Sequence, residues 1–361
     1  MTNVLDFLRP EVRSQREIGR FEFDGVAHRL QWNEHPFDLP ESIRTEILAR
    51  LAERKWSDYT EFRPYTVIGK IAEFHGLSDK QVVVTPSSSA LIQLVFSAVL
   101  AAGDHVVMPS PTYLRYKLTA GLQGSHTHFV PLDEAGGFAL PVDELIQTAQ
   151  NHQAKMVVIC APNNPTGTVY DLSDVARLAA GCGCLLFVDE AYAQFSYRDM
   201  TSLVNEFDNV VLGRTFSKAL AMAGVRIGYA ITSEVLAKEF MKLVSSFILN
   251  HFSEIAAQVV LDNPGYIADY TKQIVEERER LAEAIDDLEG TTVFPSGTNF
   301  LLIRVGKEAS ELTDYLKKEH RILINNLAPY QELAGCIRIS IGSAAQNDLL
   351  LAGWRSFLER R

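Results

Sequence analysis

Between residues 82 and 189, short apolar runs repeatedly stop at small or polar residues. Val82-Val83-Val84 ends at Thr85-Pro86-Ser87-Ser88-Ser89, and Val106-Val107-Met108 ends at Pro109-Ser110-Pro111-Thr112. Met156-Val157-Val158-Ile159-Cys160 ends at Ala161-Pro162-Asn163-Asn164-Pro165-Thr166-Gly167, and Cys184-Leu185-Leu186-Phe187-Val188 ends at Asp189-Glu190. Continuous apolar runs of this length read as strands buried on both faces. Strand and helix patterns alternate from roughly residue 40 to 250, which predicts a mostly parallel sheet covered by helices. In such a sheet ligands gather where the strands end, so the polar tips are the candidate site.

A second region follows. Pro264-Gly265 opens a long charged helix, Ile267 to about Glu289, whose Glu276-Glu277-Arg278-Glu279-Arg280 reads as a solvated face of mixed charge. Strands are expected near Val293, over Phe300–Val305, near Ile322 and around Arg338, with helices near Ser310–Glu319 and at the end. This makes a smaller α+β lobe, which the N-terminal residues are expected to join.

The chemistry concentrates at Gly213-Arg214-Thr215-Phe216-Ser217-Lys218-Ala219-Leu220-Ala221-Met222-Ala223-Gly224-Val225-Arg226. A lone lysine normally snorkels to water. Phe, Ala, Leu and Met around Lys218 instead imply a partly dry site, which lowers the amine's pKa and frees it to attack a carbonyl. Thr215, Ser217 and Arg226 are donors that suit a phosphate. A carbonyl-attacking lysine beside a phosphate cradle is the pattern of a pyridoxal-phosphate site. Ser88 and Ser89 open an apolar helix running to about Leu100, and free N–H groups at a helix start bind phosphate, although plain N-capping by serine gives the same pattern. Asp189 stands where an acid could face a pyridine nitrogen, or could simply cap the next helix. Arg338 lies in the alternating run Cys336-Ile337-Arg338-Ile339-Ser340, and an inward arginine needs an anionic partner such as an α-carboxylate.

These segments resemble, in order along the chain, the class I/II aminotransferases of fold type I that depend on pyridoxal phosphate, and most closely the histidinol-phosphate aminotransferase branch. The resemblance rests on Asn33-Glu34-His35-Pro36, Tyr59, Ser88, Pro111-Thr112-Tyr113, Asn164-Pro165-Thr166-Gly167, Asp189-Glu190-Ala191-Tyr192, Thr215-Phe216-Ser217-Lys218, Arg226 and Arg338. It implies a large cofactor-binding domain over residues 33–254, with a mostly parallel seven-stranded sheet and helices on both faces, and a small domain from 1–32 and 255–361.

The resemblance also implies roles. Lys218 would bind the cofactor and shuttle the substrate proton. Ser88, Ser89, Thr215, Ser217 and Arg226 would hold the phosphate, joined by Tyr59 of the partner subunit in a two-fold homodimer. Tyr113 would stack on the ring, Asn164 and Tyr192 would bond its hydroxyl, and Asp189 would keep its nitrogen protonated. Arg338, Asn33 and Asn325 would meet the substrate; Glu190 reads as structural. The chain departs from the family at Ser87, Ser89 and Ala90, where a turn with Gly and an acid is usual.

The reaction implied is amino transfer between an L-amino acid or amino alcohol and a 2-oxo acid in two half-reactions. Asn325 in Ile322-Leu323-Ile324-Asn325 replaces the branch's phosphate-binding arginine, and Pro10-Glu11 replaces its Pro-Tyr. Both changes disfavour a phosphorylated substrate. A decarboxylase resembling the threonine-phosphate decarboxylases could reuse the same frame. A non-catalytic regulatory protein binding the cofactor would not need Lys218, Asp189, Tyr192 and Arg338 together.

Composition narrows the rest. With 361 residues, 47% of them hydrophobic, the chain can bury a large core, and its net charge of −11 argues against a nucleic-acid surface. No apolar run approaches membrane length, and the first residues lack a secretory pattern. The four cysteines have no metal spacing, and Cys182-Gly183-Cys184 reads as reduced core, so a cytoplasmic enzyme without a metal is expected.

Overall fold

The computed structural model describes residues 4–15 and 25–360; residues 1–3, 16–24 and 361 of the expected small domain lie outside them. In chain order the strands are β1 (His28–Arg29), β2 (Val82–Thr85), β3 (His105–Ser110), β4 (His126–Pro131), β5 (Met156–Cys160), β6 (Leu185–Asp189), β7 (Val210–Thr215) and β8 (Gly228–Thr232). β9 (Thr292–Val293), β10 (Phe300–Arg304), β11 (Ile322–Leu323), β12 (Asn325–Asn326) and β13 (Cys336–Ser340) complete the set. Strands β2 to β8 form one seven-stranded sheet in the order β2-β8-β7-β6-β5-β3-β4. Only β8 runs against its neighbours β2 and β7.

Successive residues of each strand point to opposite faces, and the core divides accordingly. Val82, Val84, Val157, Ile159, Leu186, Val188 and Leu212 join one apolar cluster, while Val83, Met156, Val158, Phe187 and Val211 join the other. Helices 65–75, 142–151, 172–181 and 251–262 cover the first face; helices 88–99, 114–123 and 234–240 cover the second. The parallel strands are therefore wrapped in apolar side chains on both sides, which is why they read as unbroken runs.

A four-stranded antiparallel sheet, β12-β13-β10-β9, and the parallel pair β1-β11 form the second region, with helices 265–286, 309–320 and 344–358. Its sheet register sets Leu302 and Asn325 on either side of Arg338.

Two expectations need correction. Arg278 is not on a solvated face: it is buried and donates to the Thr298 carbonyl at 3.0 Å and the Phe195 carbonyl at 3.3 Å. Both carbonyls lie outside the sheets, and one guanidinium satisfies the two. The short helix Pro10–Arg13 packs on helix 114–123 of the large sheet rather than on the small lobe. Arg9 donates to the Leu122 carbonyl at 3.1 Å, at the helix end where backbone carbonyls are free.

Candidate active site

The tips of β2, β5, β6 and β7 meet the chain from Gln31 to Asn33 and the strand β13 around a cleft of about 280 Å³. Trp32, Asn33, Ser88, Tyr113, Asn164, Asp189, Tyr192, Thr215, Lys218 and Arg338 all line it.

Lys218 follows β7, and its Nζ donates to the carbonyls of Trp32 at 2.9 Å and Asn33 at 3.0 Å. Burial, helped by the nearby Arg338 cation, lowers its pKa to about 8. Asp189 ends β6 and is buried, accepting from the Tyr116 hydroxyl at 2.7 Å and the Ala191 N–H at 3.1 Å. Burial raises its pKa to about 6, against those hydrogen bonds. A carboxylate held so far from water has its charge restored by a cation placed against it.

Asn164 and Asn33 both donate to the Tyr192 hydroxyl, at 3.2 and 2.9 Å. Burial pushes that phenol well above its usual range. Asn163 beside it ties the turn down, donating to the Pro111 carbonyl at 3.0 Å and to Thr166 Oγ1 at 2.9 Å. Arg338 is buried and donates to Asn164 Oδ1 at 2.6 Å and the Gln31 carbonyl at 2.8 Å. Its Nε has no hydrogen-bond partner among the described residues. A buried guanidinium with a donor left over is the feature an incoming carboxylate would satisfy.

The phosphate end fits as well. Ser87 Oγ accepts from the Ala90 N–H at 3.1 Å, opening the helix Ser88–Val99, whose first residue lines the cleft and whose first N–H groups have no partner within the helix. A Cβ on Gly228 would come within 2.3 Å of Ser88 N and 2.4 Å of the Ser87 carbonyl carbon, so β8 approaches this turn only as glycine. Gly228→Ala is therefore expected to push the turn outward and weaken pyridoxal-phosphate affinity by roughly tenfold, about 1.4 kcal/mol. Spectroscopic titration of the apoenzyme measures this, and unchanged affinity would remove Ser88 from the cradle.

Other expected residues are not among the side chains that line the cleft in the single chain. Ser89 and Ser217 do not line the cleft; Ser217 donates its N–H to Thr215 Oγ1 at 3.1 Å. The Arg226 guanidinium is exposed and donates to the Ala223 carbonyl at 3.1 Å. Asn325 pairs across the ladder from Arg338 without lining the cleft. Glu11 sits by Gly124, beyond the far end of the helix that begins after Tyr113. Tyr59 is exposed and stacks on Phe247 at 4.4 Å, so neither ring belongs to this cleft within one chain. Glu190 is structural, accepting from Arg214 Nε at 2.9 Å in a buried pair.

Sequence reasoning missed Tyr116 and the backbone of residues 31–33. Tyr116 lies three residues after Tyr113 on the inward face of the same helix, a spacing that could have found it.

A doubly wrapped α/β sheet with a dry lysine and a buried acid at its strand tips, and a buried arginine of the second sheet on the same cleft, is the frame of a cofactor-dependent enzyme. The model of the family "Aminotransferase class I and II" matches residues 28–353. A histidinol-phosphate aminotransferase of Chlorobium luteolum is 34% identical over 342 residues, 94% of this chain and 95% of that protein. Another, of Chlorobium limicola, is 33% identical over 98% of this chain and 99% of its own length. The crystal structure of histidinol-phosphate aminotransferase from Sinorhizobium meliloti in complex with pyridoxal-5'-phosphate superposes with a TM-score of 0.89 at 26% identity, covering 98% of each chain. The chain belongs to the class I and II aminotransferases. It has their fold type I architecture, uses pyridoxal phosphate and is an aminotransferase of the histidinol-phosphate type.

Proposed function

We propose that this enzyme moves an amino group between an L-amino acid and a 2-oxo acid, with the α-carboxylate held by Arg338. The observation that carries this is Arg338, a buried cation lining the cleft that holds Lys218, whose Nε is left without a hydrogen-bond partner among the described residues.

Bound there, pyridoxal phosphate supplies an aldehyde and an electron-withdrawing ring. Lys218 is the amine that attacks a carbonyl, and its Nζ then carries the proton to and from the substrate carbon. Asp189 would face the ring nitrogen and keep a proton on it, as suits a carboxylate whose burial calls for a cation. Tyr192 and Asn164 would orient the ring hydroxyl, Tyr113 would cover one ring face, and Ser88 and Thr215 at the cleft, with Ser89, Ser217 and Arg226 from beside it, would serve the phosphate. Asn33 positions both Lys218 and Tyr192, through its carbonyl and its Nδ2. In this reading residues 33–254 form the cofactor domain, with the helix Pro10–Arg13 docked on it, and residues 255–361 form the small one, joined by β1.

The names of the relatives bring histidinol phosphate to this chain as a substrate candidate. We set against it Asn325, which supplies no positive charge beside Arg338. A missing charge-assisted contact costs about 1.5–3 kcal/mol, roughly a tenfold to hundredfold lower specificity constant. Histidinol phosphate is thus expected to react more slowly than an unphosphorylated amino acid. Half-reaction spectra of the purified holoenzyme with phenylalanine, other amino acids and histidinol phosphate test this. A hundredfold preference for the phosphate ester would sink it.

The working form is a cytoplasmic homodimer. Tyr59, 80% exposed, packs with Phe62 and Phe247 in an exposed aromatic cluster that water would not favour, and Trp56 and Tyr65 nearby in sequence are exposed as well. The expected arrangement brings Tyr59 of the partner subunit to the phosphate. Light scattering should give twice the 40.2 kDa chain mass, and Tyr59→Ala should weaken cofactor affinity. A fully active monomer would rule the shared site out.

A further inference from the structure

Four of the nine histidines gather at one place: His105, His126, His128 and His152. It lies at the start of β3 and β4, the end of the sheet opposite the cleft. The ladder pairs His105 with His126 and Val107 with His128, so side-chain alternation puts all three imidazoles on one face. That face is the one covered by helix 142–151, whose C-cap is His152. His105 Nδ1 and His128 Nε2 are 2.8 Å apart, and the rings of His128 and His152 stack with centroids 3.6 Å apart. Ligand nitrogens of His105, His128 and His152 all lie within 4.8 Å of one another.

We propose that His105, His128 and His152 form a surface site for a divalent transition-metal ion, of which Zn²⁺ is the type. The donor set is neutral imidazole without thiolate, which suits zinc, copper or nickel rather than calcium or magnesium. Tetrahedral zinc with bonds near 2.0–2.1 Å separates its ligand nitrogens by about 3.3 Å. His105 and His128 are already closer than that and all three lie within 4.8 Å, so binding would unstack the rings of His128 and His152 to turn both lone pairs to one ion, with water or the neighbouring His126 as fourth ligand. His152 also sits at the negative end of its helix, where a cation is favoured.

The ion would act on the fold and not on catalysis. β4 is the edge strand of the large sheet and pairs with β3 alone. One metal would fasten β3, β4 and the helix end together. From His105 to Ser110 the strand rises about 3.3 Å per residue, so the site lies roughly 16 Å from the tip of β3. The cysteine spacing of the sequence gave no hint of it, because the ligands come from three separate segments.

Equilibrium dialysis of the holoenzyme against zinc chloride tests the site. One Zn²⁺ per chain is expected, with a rise in Tm that depends on its concentration. His152→Ala changes an exposed residue at a helix end, so the variant should fold and transaminate normally. Loss even of an outer-sphere partner costs about 10–100-fold in metal affinity, so its zinc affinity should fall at least about tenfold. A His105→Ala/His128→Ala double variant should lose the metal. Cys182→Ser/Cys184→Ser, which removes the nearest pair of thiols in sequence, should keep it. The proposal is overturned if the wild type retains no zinc, if His152→Ala binds it equally well, or if binding follows the cysteines.

Discussion

Lys218→Ala is expected to lower turnover by at least about a thousandfold, because one substitution removes both the attacking amine and the proton carrier. General acid–base catalysis alone contributes typically 10²–10⁴-fold. The variant should remain folded, since the side chain projects into a cleft and not into the core. A second readout comes from pH. With a pKa lowered to about 8 by burial and by Arg338, the amine is protonated below that pH and free above it. Capture of pyridoxal phosphate by the wild-type apoenzyme should therefore quicken as pH rises through 8 and level off above. An ordinary lysine would keep gaining until above 10. Near-normal turnover in Lys218→Ala, followed by stopped-flow or steady-state assay, would end the reading.

Arg338→Gln is expected to have the next largest effect. Truncating one partner of a buried, hydrogen-bonded charge contact costs about 2–5 kcal/mol, roughly thirtyfold to several thousandfold in kcat/KM. The loss should fall on substrates with an α-carboxylate, while the cofactor absorbance stays. A simple amine without a carboxylate should react at nearly its wild-type rate. Arg338→Lys keeps the charge but not the fork, and should recover only part of the activity. Equal losses for amines and amino acids would mean that Arg338 only props up Asn164 and Gln31.

Much of the large sheet could be read from the chain because its strands are buried on both faces. Met156–Cys160 and Leu185–Asp189 contain almost nothing but apolar residues, and their ends place Asn164 and Asp189 directly. The second region was harder, since its strands are short and its buried polar groups answer to distant partners. Arg278 looks solvated in a charged helical run, yet two backbone carbonyls, one 83 residues before it and one 20 residues after it, bind it. The wall of residues 31–33 was equally hidden: it works mainly through backbone carbonyls, which no side-chain motif reveals. Helix Pro10–Arg13 was misplaced because its docking uses a free helix end rather than a hydrophobic pattern.

The two carbonyls that hold Lys218 have a consequence for how the enzyme is loaded. As an ammonium, Nζ has three protons and spends two of them on Trp32 and Asn33. Once that nitrogen is bonded to a carbonyl carbon it has at most one proton left, so both carbonyls cannot remain satisfied by it. Asn33 is also fastened to β13, donating its N–H to Ser340 Oγ at 2.8 Å, and its carbonyl accepts from Asn299 Nδ2 at 3.0 Å. The reactive lysine thus doubles as a clasp between the large sheet and the strand beside the small one. Taking up the cofactor loosens that clasp, while Asn33 Nδ2 on the Tyr192 hydroxyl still ties the segment over the cleft to the large-sheet side.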